Sequence, residues 1–255
     1  MSAPPRPRRA LVPSLLRLFT VQGSYNYDRM QGVGVAVAEE PLVRSLRAAG
    51  NGTRYRAALA RGARFFNAHP YLCGLAVGAT ARAELDGAPP EQIERLRAAL
   101  GGPLGALGDR LVWAGWLPFT SALAVLALAR GAGLAAVLGF LVAYNIGHVA
   151  LRWWALGAGW THGMDVAAAL HRPALRRAVA LVGPAMAAAA GAALPVAARA
   201  LAAGLPGGAG WARPAVAAVA AVGVALLWGW RTRLSGLRLA LALLGAAALG
   251  GWLWR

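Results

Sequence analysis

A chain of 255 residues that is 58% hydrophobic but only 14% charged falls well short of the roughly 25% charged residues of a soluble domain. Its net charge of +17 comes wholly from arginine, since there is no lysine, and all nine Asp and Glu lie at or before Asp165. That profile joins a polar N-terminal half to a membrane-embedded half and argues against a soluble nucleic-acid binder, which would not carry so apolar a C-terminal half.

In chain order, residues 1–13 are basic and Pro-rich and read as a disordered N-terminus. Residues 14–110 read as an amphipathic, cytoplasm-facing helical region. Within and just before it, residues 11–19 suit a short amphipathic helix at the membrane surface. Arg17 interrupts their apolar run, so they do not make a signal peptide. Residues 23–49 mix polar and small apolar side chains. The pattern from Thr53 to Phe66 is helical, with Tyr55, Leu59, Gly62 and Phe66 near one face. The stretch "PPEQIERLRAAL" opens a helix at Pro90, with Ile93, Leu96 and Leu100 as its apolar stripe and Glu91–Arg95 as a supporting i,i+4 pair. Gly101 and Gly102 are the expected stop. The single Cys73 has no disulfide or zinc partner and reads as a small buried apolar residue.

Residues 111–255 read as the membrane-embedded region. Five apolar runs follow Arg110: Leu111–Ala129, Leu134–Leu151, Ala178–Ala198, Pro214–Trp230 and Leu239–Trp254. Each is long enough, or nearly so, for a hydrocarbon core about 30 Å thick. The expected fold is therefore an all-α integral membrane protein: amphipathic N-terminal helices, then about five transmembrane or re-entrant apolar helices. The arginines between the runs place the N-terminus and the 152–177 and 231–238 segments in the cytoplasm, and the C-terminus outside. The ten tryptophans, from Trp113 to Trp254, mostly sit near run ends, as an interfacial aromatic belt requires.

Polar residues in or beside apolar runs carry the remaining information, because burying them is costly unless they are paired or line a wet cavity. Asp109, Asn145, His148, His162 and Asp165 stand there, and "FFNAHPYL" adds Asn67 and His69. The stretch "QGSYNYDRMQ" adds Gln22, Asn26, Asp28, Arg29 and Gln31. Asn145 and His148 share a helix face and suit interhelical hydrogen bonds. The segment "GGPLGALGD" lacks the GK[ST] ending of a phosphate loop and no strand precedes it. It reads instead as a break in a helix at membrane depth. Asp109 then either accepts hydrogen bonds from sugar hydroxyls or forms a strut with Arg110. No nucleophile, hydrolytic metal site or cofactor motif is present, so neither catalysis, metal nor cofactor is expected.

Four stretches taken together resemble one family. "QGSYNYDRMQGVG", "RFFNAHPYLCGLAVGATARAE", "LGGPLGALGDRLVWAGWLPF" and "YNIGHVALRWWALGAGWTHGMDV" follow the order and spacing of the IID membrane component of mannose/fructose/sorbose-type phosphotransferase systems. The resemblance covers about residues 14–170; where the family motif has Pro after its aspartate, this chain has Arg110. It implies a non-phosphorylated transport subunit in the bacterial inner membrane. That subunit works with a IIC subunit, in higher oligomers of IIC–IID pairs surrounded by membrane lipid. It passes a hexose inward for phosphorylation by separate IIA–IIB proteins. No nucleic acid is involved. The alternative is a regulatory or assembly subunit of a reduced system. The expected solute-binding groups are Asp109, Asn26, Gln22, Asn67 and His69. Gly102, Pro103, Gly105 and Gly108 would shape the backbone, and Tyr25, Tyr27 and Arg29 would hold the subunit contact.

Overall fold

The computed structural model describes residues 8–203. The basic residues 1–7, the runs Pro214–Trp230 and Leu239–Trp254 with their tryptophans and Trp211, the 231–238 turn and the C-terminal orientation lie outside the described residues. Among the described residues the protein is all-helical and has no strand. The helices are α1 (Arg8–Leu18), α2 (Gly32–Ala48), α3 (Gly52–Gly62), α4 (Cys73–Asp86), α5 (Pro90–Gly108), α6 (Leu117–Ala129), α7 (Leu134–His162), α8 (Ala167–Leu170) and α9 (Pro173–Ala203). A π-helical stretch, Asp109–Trp116, joins α5 to α6.

Three helical stretches among these residues are long and apolar enough to cross a membrane: Pro90–Ala129, Leu134–Asp165 and Pro173–Ala200. They coincide with the first three runs expected from sequence. The first has 40 residues, about 60 Å at the α-helical rise and twice a hydrocarbon core. Its charged Glu91, Glu94, Arg95 and Arg97 therefore belong outside the bilayer, and Leu111–Ala129 is the part that suits it.

Gly101 and Gly102 do not end the helix: α5 runs through them and through Pro103 to Gly108. The expected break is instead a widened turn. Pro103 sits on an exposed side of α5, where a carbonyl that loses its intrahelical partner can turn outward. The apolar stripe is as expected, with Ile93 and Leu100 buried and Leu96 half-buried. Glu91 and Arg95 form no salt bridge among the described residues; Glu94 reaches Arg64 instead, at 2.5 Å.

The chain divides into two compact units. The first comprises the residues up to Leu117 and Leu141–Pro184, and the second Pro118–Phe140 and the residues from Ala185 on. In the first unit α4 is the central helix. Every residue from Cys73 to Ala81 is buried, as befits a helix apolar on all sides. Gly74 and Gly78 let α4 approach α7 closely: a Cβ at Gly78 would lie 2.5 Å from Leu156 O and Trp160 N. Gly159 returns the arrangement, lying against the Leu75 carbonyl. Trp160 is thus a core residue, 4% exposed, rather than part of an interfacial belt. The same core includes Leu18, Leu42, Leu72 and Leu104 from the N-terminal helices and Ala155, Leu156, Val166 and Ala169. In the second unit Ala122, Ala189 and Ala193 pack with Phe119, Val125 and Leu126.

Arginines close several helix ends in the first unit, where the last carbonyls lack intrahelical donors. Arg97 donates to Gly62 O at the end of α3 (2.9 Å) and Arg54 to Glu84 O in the last turn of α4 (2.6 Å). Arg152 donates to Leu18 O, the last residue of α1. Four further arginines pair with acids: Arg17 and Arg44 with Glu40, Arg61 with Glu84, and Arg82 with Asp86. Hydrogen bonds from Arg44, then Arg17 and Tyr55, hold the Glu40 carboxyl at about 2 against its partial burial.

Candidate functional site

The segment Asn67–Ala68–His69 lies across one face of α5. A Cβ on Gly101 would stand 3.1 Å from Asn67 O, and one on Gly105 would stand 4.0 Å from Ala68 Cα. One on Gly108 would overlap the His69 side chain, whose Nδ1 is 2.9 Å away. Positions 101, 105 and 108 share a helical face, so three glycines form a track on which a non-helical strand of chain rests. Of the motif residues expected to shape the backbone, Gly105 and Gly108 face this segment. Gly102 and Pro103 are exposed, and a side chain at Gly102 would meet open space. Gly101, a stop signal by its sequence alone, takes their place.

Gln31 holds the other side of the segment. Its Oε1 accepts from Ala68 N (3.3 Å) and from Cys73 Sγ (3.0 Å). The chain between α1 and α2 joins by backbone: Phe66 N donates to Arg29 O and Gln31 N to Phe66 O. That loop keeps its own shape. Asn26 Oδ1 accepts from the N–H groups of Asp28 (3.1 Å) and Arg29 (2.9 Å), while its amide donates to Ser24 O. Met30 adopts φ 49°. The Asn26 side chain is therefore engaged in an Asx turn. Gln22, Tyr25, Tyr27 and Arg29 are exposed, Tyr27 at 93%. No hydrogen bond joins Gln22 or Asn26 to Asp109 or His69 among the described residues.

His69 is the best-defined group at the site. It is buried, its Nδ1 accepts from Tyr71 N (3.2 Å), and its Nε2 is enclosed without a hydrogen-bond partner. The ring proton accordingly sits on Nε2. Burial lowers the imidazole to about 4, against an opposing pull from the nearby Asp109 carboxylate and with a smaller push from Arg152. His69 is neutral at physiological pH. Asp109 itself is exposed at the first residue of the π stretch and forms no salt bridge, with Arg110 or otherwise, among the described residues. Asn67 is also exposed.

An aromatic and cationic cluster backs His69. Trp113 lies 5.0 Å from His69 and Tyr71 4.9 Å from it, ring centre to ring centre. Tyr71 stacks on His148 at 4.2 Å, and its hydroxyl is 2.6 Å from that of Tyr144. Arg152 is buried beneath. Its guanidinium donates to Leu18 O, to Pro70 O (3.1 Å) and, through Nε, to His148 Nε2 (2.8 Å), and it lies over the Tyr71 and Phe19 rings. His148 therefore meets α7's own Arg152 and a tyrosine from before α4, while Asn145 bonds within α7 to Leu141 O. Arg152 and Tyr71 were not singled out from sequence. Arg152 read as a topology charge, and its partners are 82 and 134 residues away in sequence, so no local spacing reveals it.

Comparison with known proteins places this geometry. Residues 7–194 match the family described as the PTS system mannose/fructose/sorbose family IID component. The chain is 30% identical over 156 residues to the mannose-specific EIID component of Escherichia coli K12, a match covering 59% of this chain and 54% of that protein. It is 32% identical over 161 residues to the sorbose-specific EIID component of Klebsiella pneumoniae, covering 61% and 58%. The chain thus spans little more than half the length of these curated relatives. In structure it resembles the mannose transporter ManYZ in its complex with microcin E492. The TM-score is 0.57 and the identity 25%, over 75% of this chain and 71% of that one. A membrane protein by its long apolar helices, the chain belongs to the IID component family of the mannose/fructose/sorbose phosphotransferase systems.

Proposed function

We propose that the protein is the IID half of a mannose-family sugar permease in the bacterial inner membrane. It pairs with a IIC subunit to move a hexose inward for phosphorylation by separate IIA–IIB proteins. The observation that carries this reading is the family match over residues 7–194. It takes in the glycine track, the His69 segment and Asp109, and a relative in the ManYZ complex supports the pairing.

Within the site, Asp109 and Asn67 are the exposed hydrogen-bonding groups for a hydroxylated solute. His69 acts as a positioning residue, fixing the segment that carries Asn67 against α5. The exposed loop with Tyr25, Tyr27 and Arg29 is the contact for the IIC subunit. Gln22 lies in the same loop, and Asn26 shapes it. The N-terminal helices face the cytoplasm, and the five apolar runs cross or re-enter from there to an outside C-terminus. One packing feature supports the first part of that topology. Residues before α6 and residues 155–169 share one core, so the chain between them leaves and returns to the same side.

The test is hexose uptake by cells lacking their own permease and expressing this chain with its IIC partner. Uptake requires both chains, and Asp109→Asn lowers it about tenfold, the loss of one hydrogen bond to a charged group. A stable IIC–IID complex without uptake would favour the regulatory alternative. Unchanged uptake in Asp109→Asn would remove that residue from the pathway.

A further inference from the structure

Away from this site, α1 and α7 enclose a cleft of about 470 Å³ that ends at Arg172, the residue preceding α9. Its walls divide by chemistry. Leu11, Val12 and Trp153 form an apolar side that opens outward, Val12 and Trp153 being nearly half exposed. Thr161, His162 and Arg172 form a polar end. No acidic residue lines the cleft. Arg172 is exposed and takes part in no salt bridge among the described residues. His162 Nε2 is enclosed and lacks a hydrogen-bond partner. Arg176 and Arg177 continue the positive charge, and no Asp or Glu follows Asp165.

The surroundings place the cleft at a bilayer boundary. The outer face of α1 and the turn after it carry Val12, Leu16 and Phe19, spaced by four and three residues and exposed by 48%, 63% and 42%. An apolar stripe of this kind beside Arg9 and Arg17 is the face a helix lays into the headgroup region. The polar end of the cleft lies at the last turn of α7, where the candidate span Leu134–Asp165 ends. An apolar wall running into lipid and a cationic end with no carboxylate fit one occupant, an anionic phospholipid.

We infer that this cleft holds a single anionic phospholipid. The Arg172 guanidinium donates to its phosphate, and its acyl chains lie along Val12 and Trp153. A planar guanidinium can grip two phosphate oxygens at once, whereas a zwitterionic lipid brings its own cation to the same end and gains less.

The test is native mass spectrometry of the full chain in detergent, titrated with phosphatidylglycerol or phosphatidylcholine of identical acyl chains. The expected result is one retained phosphatidylglycerol, preferred about tenfold over phosphatidylcholine. Arg172→Gln removes that preference, lowering retention of phosphatidylglycerol far more than of phosphatidylcholine, while Arg177→Gln, outside the cleft, changes neither. If Arg172→Gln does not yield folded protein, Val12→Glu, which sets a carboxylate on the acyl wall, lowers retention of both lipids, and unchanged retention there overturns the inference. Equal retention of the two lipids overturns the inference. So does an equal loss in Arg172→Gln and Arg177→Gln, which marks a diffuse basic surface. Displacement of the lipid by millimolar inorganic phosphate also overturns it, as the cleft would then be an anion site without a lipid.

Discussion

Two helices of the first unit, α4 and α7, are both rich in small and apolar residues, yet they use them in opposite senses. On α4 the apolar residues are buried on every side. On α7 beyond Leu141 the large aliphatic side chains Leu141, Val142, Ile146 and Val149 face outward, and Tyr144, His148 and Arg152 turn inward. The difference is one of solvent. Around α4 the neighbours are protein, so close packing and glycine contacts decide which residues fit. On the proposed reading the outer neighbour of α7 is hydrocarbon, which satisfies leucine as well as a core does. Tyr144, His148 and Arg152 turn to the inside, where they find one another, while Asn145 stays exposed and satisfies its amide on Leu141 O.

This contrast can be broken or sharpened by substitution. The largest effect is expected where packing is tightest. Gly108→Ala drives a methyl group into His69 and should cost about 3 kcal/mol. Gly102→Ala, six residues earlier with open space around it, should be neutral or stabilising by up to about 1 kcal/mol. Thermal unfolding of the two variants in detergent measures the difference, and similar melting points would contradict the glycine track. Next comes Arg152→Met, which leaves the Leu18 and Pro70 carbonyls and His148 without their donor and should cost about 2–3 kcal/mol.

A smaller effect, confined to a pH window, is expected at Glu39. Burial raises its carboxyl to about 7, against an opposing pull from Arg97 and a hydrogen bond from Thr80. Because the folded state holds this proton more tightly than the unfolded chain, the associated stability is complete below about pH 4.5. It is lost as the pH rises through about 7. Glu39→Gln mimics the protonated acid. Its stability relative to the parent should therefore grow from near zero at acid pH to on the order of 1–3 kcal/mol at pH 8. A pH-independent difference would place the cause elsewhere. Smallest of all, Ile146→Ala on the hydrocarbon-facing side of α7 should change stability by no more than about 0.5 kcal/mol, and a core-sized loss there would mean that protein covers that face.

Much of this architecture was legible in the sequence because bilayers and helix periodicity leave long-range marks. The apolar runs foretold the three described spans, and the Ile93–Leu96–Leu100 stripe foretold the buried face of α5. The α4 helix carried no readable period because it is apolar and small on all sides. Gly101 and Gly102 misled because glycine is a local stop signal only until tertiary packing rewards its lack of a side chain. Here Gly101 sits under Asn67 and the helix continues. Of the candidate site, Asn67, His69, Gly105, Gly108 and Asp109 were legible as motif residues. Their juxtaposition was not, since it depends on a segment lying across α5 that no spacing encodes. Arg152 and Trp160 were hidden for a related reason. Each looks like an ordinary membrane-flanking residue until partners more than eighty residues away, in one case, or an approaching glycine helix, in the other, are in place.

The shared core of the first unit also sets an order of events in biosynthesis. Leu18 and Leu75 pack with Ala155, Leu156 and Val166, and the end of α1 waits for Arg152 to supply its donor. None of these later residues exists until the apolar stretch between Leu111 and Leu151 has been made. At about 5–20 residues per second of synthesis, the N-terminal helices spend several seconds on the ribosome with an unfinished core. Synthesis of the last turns of α7 and of the segment after it is therefore the step that completes this core.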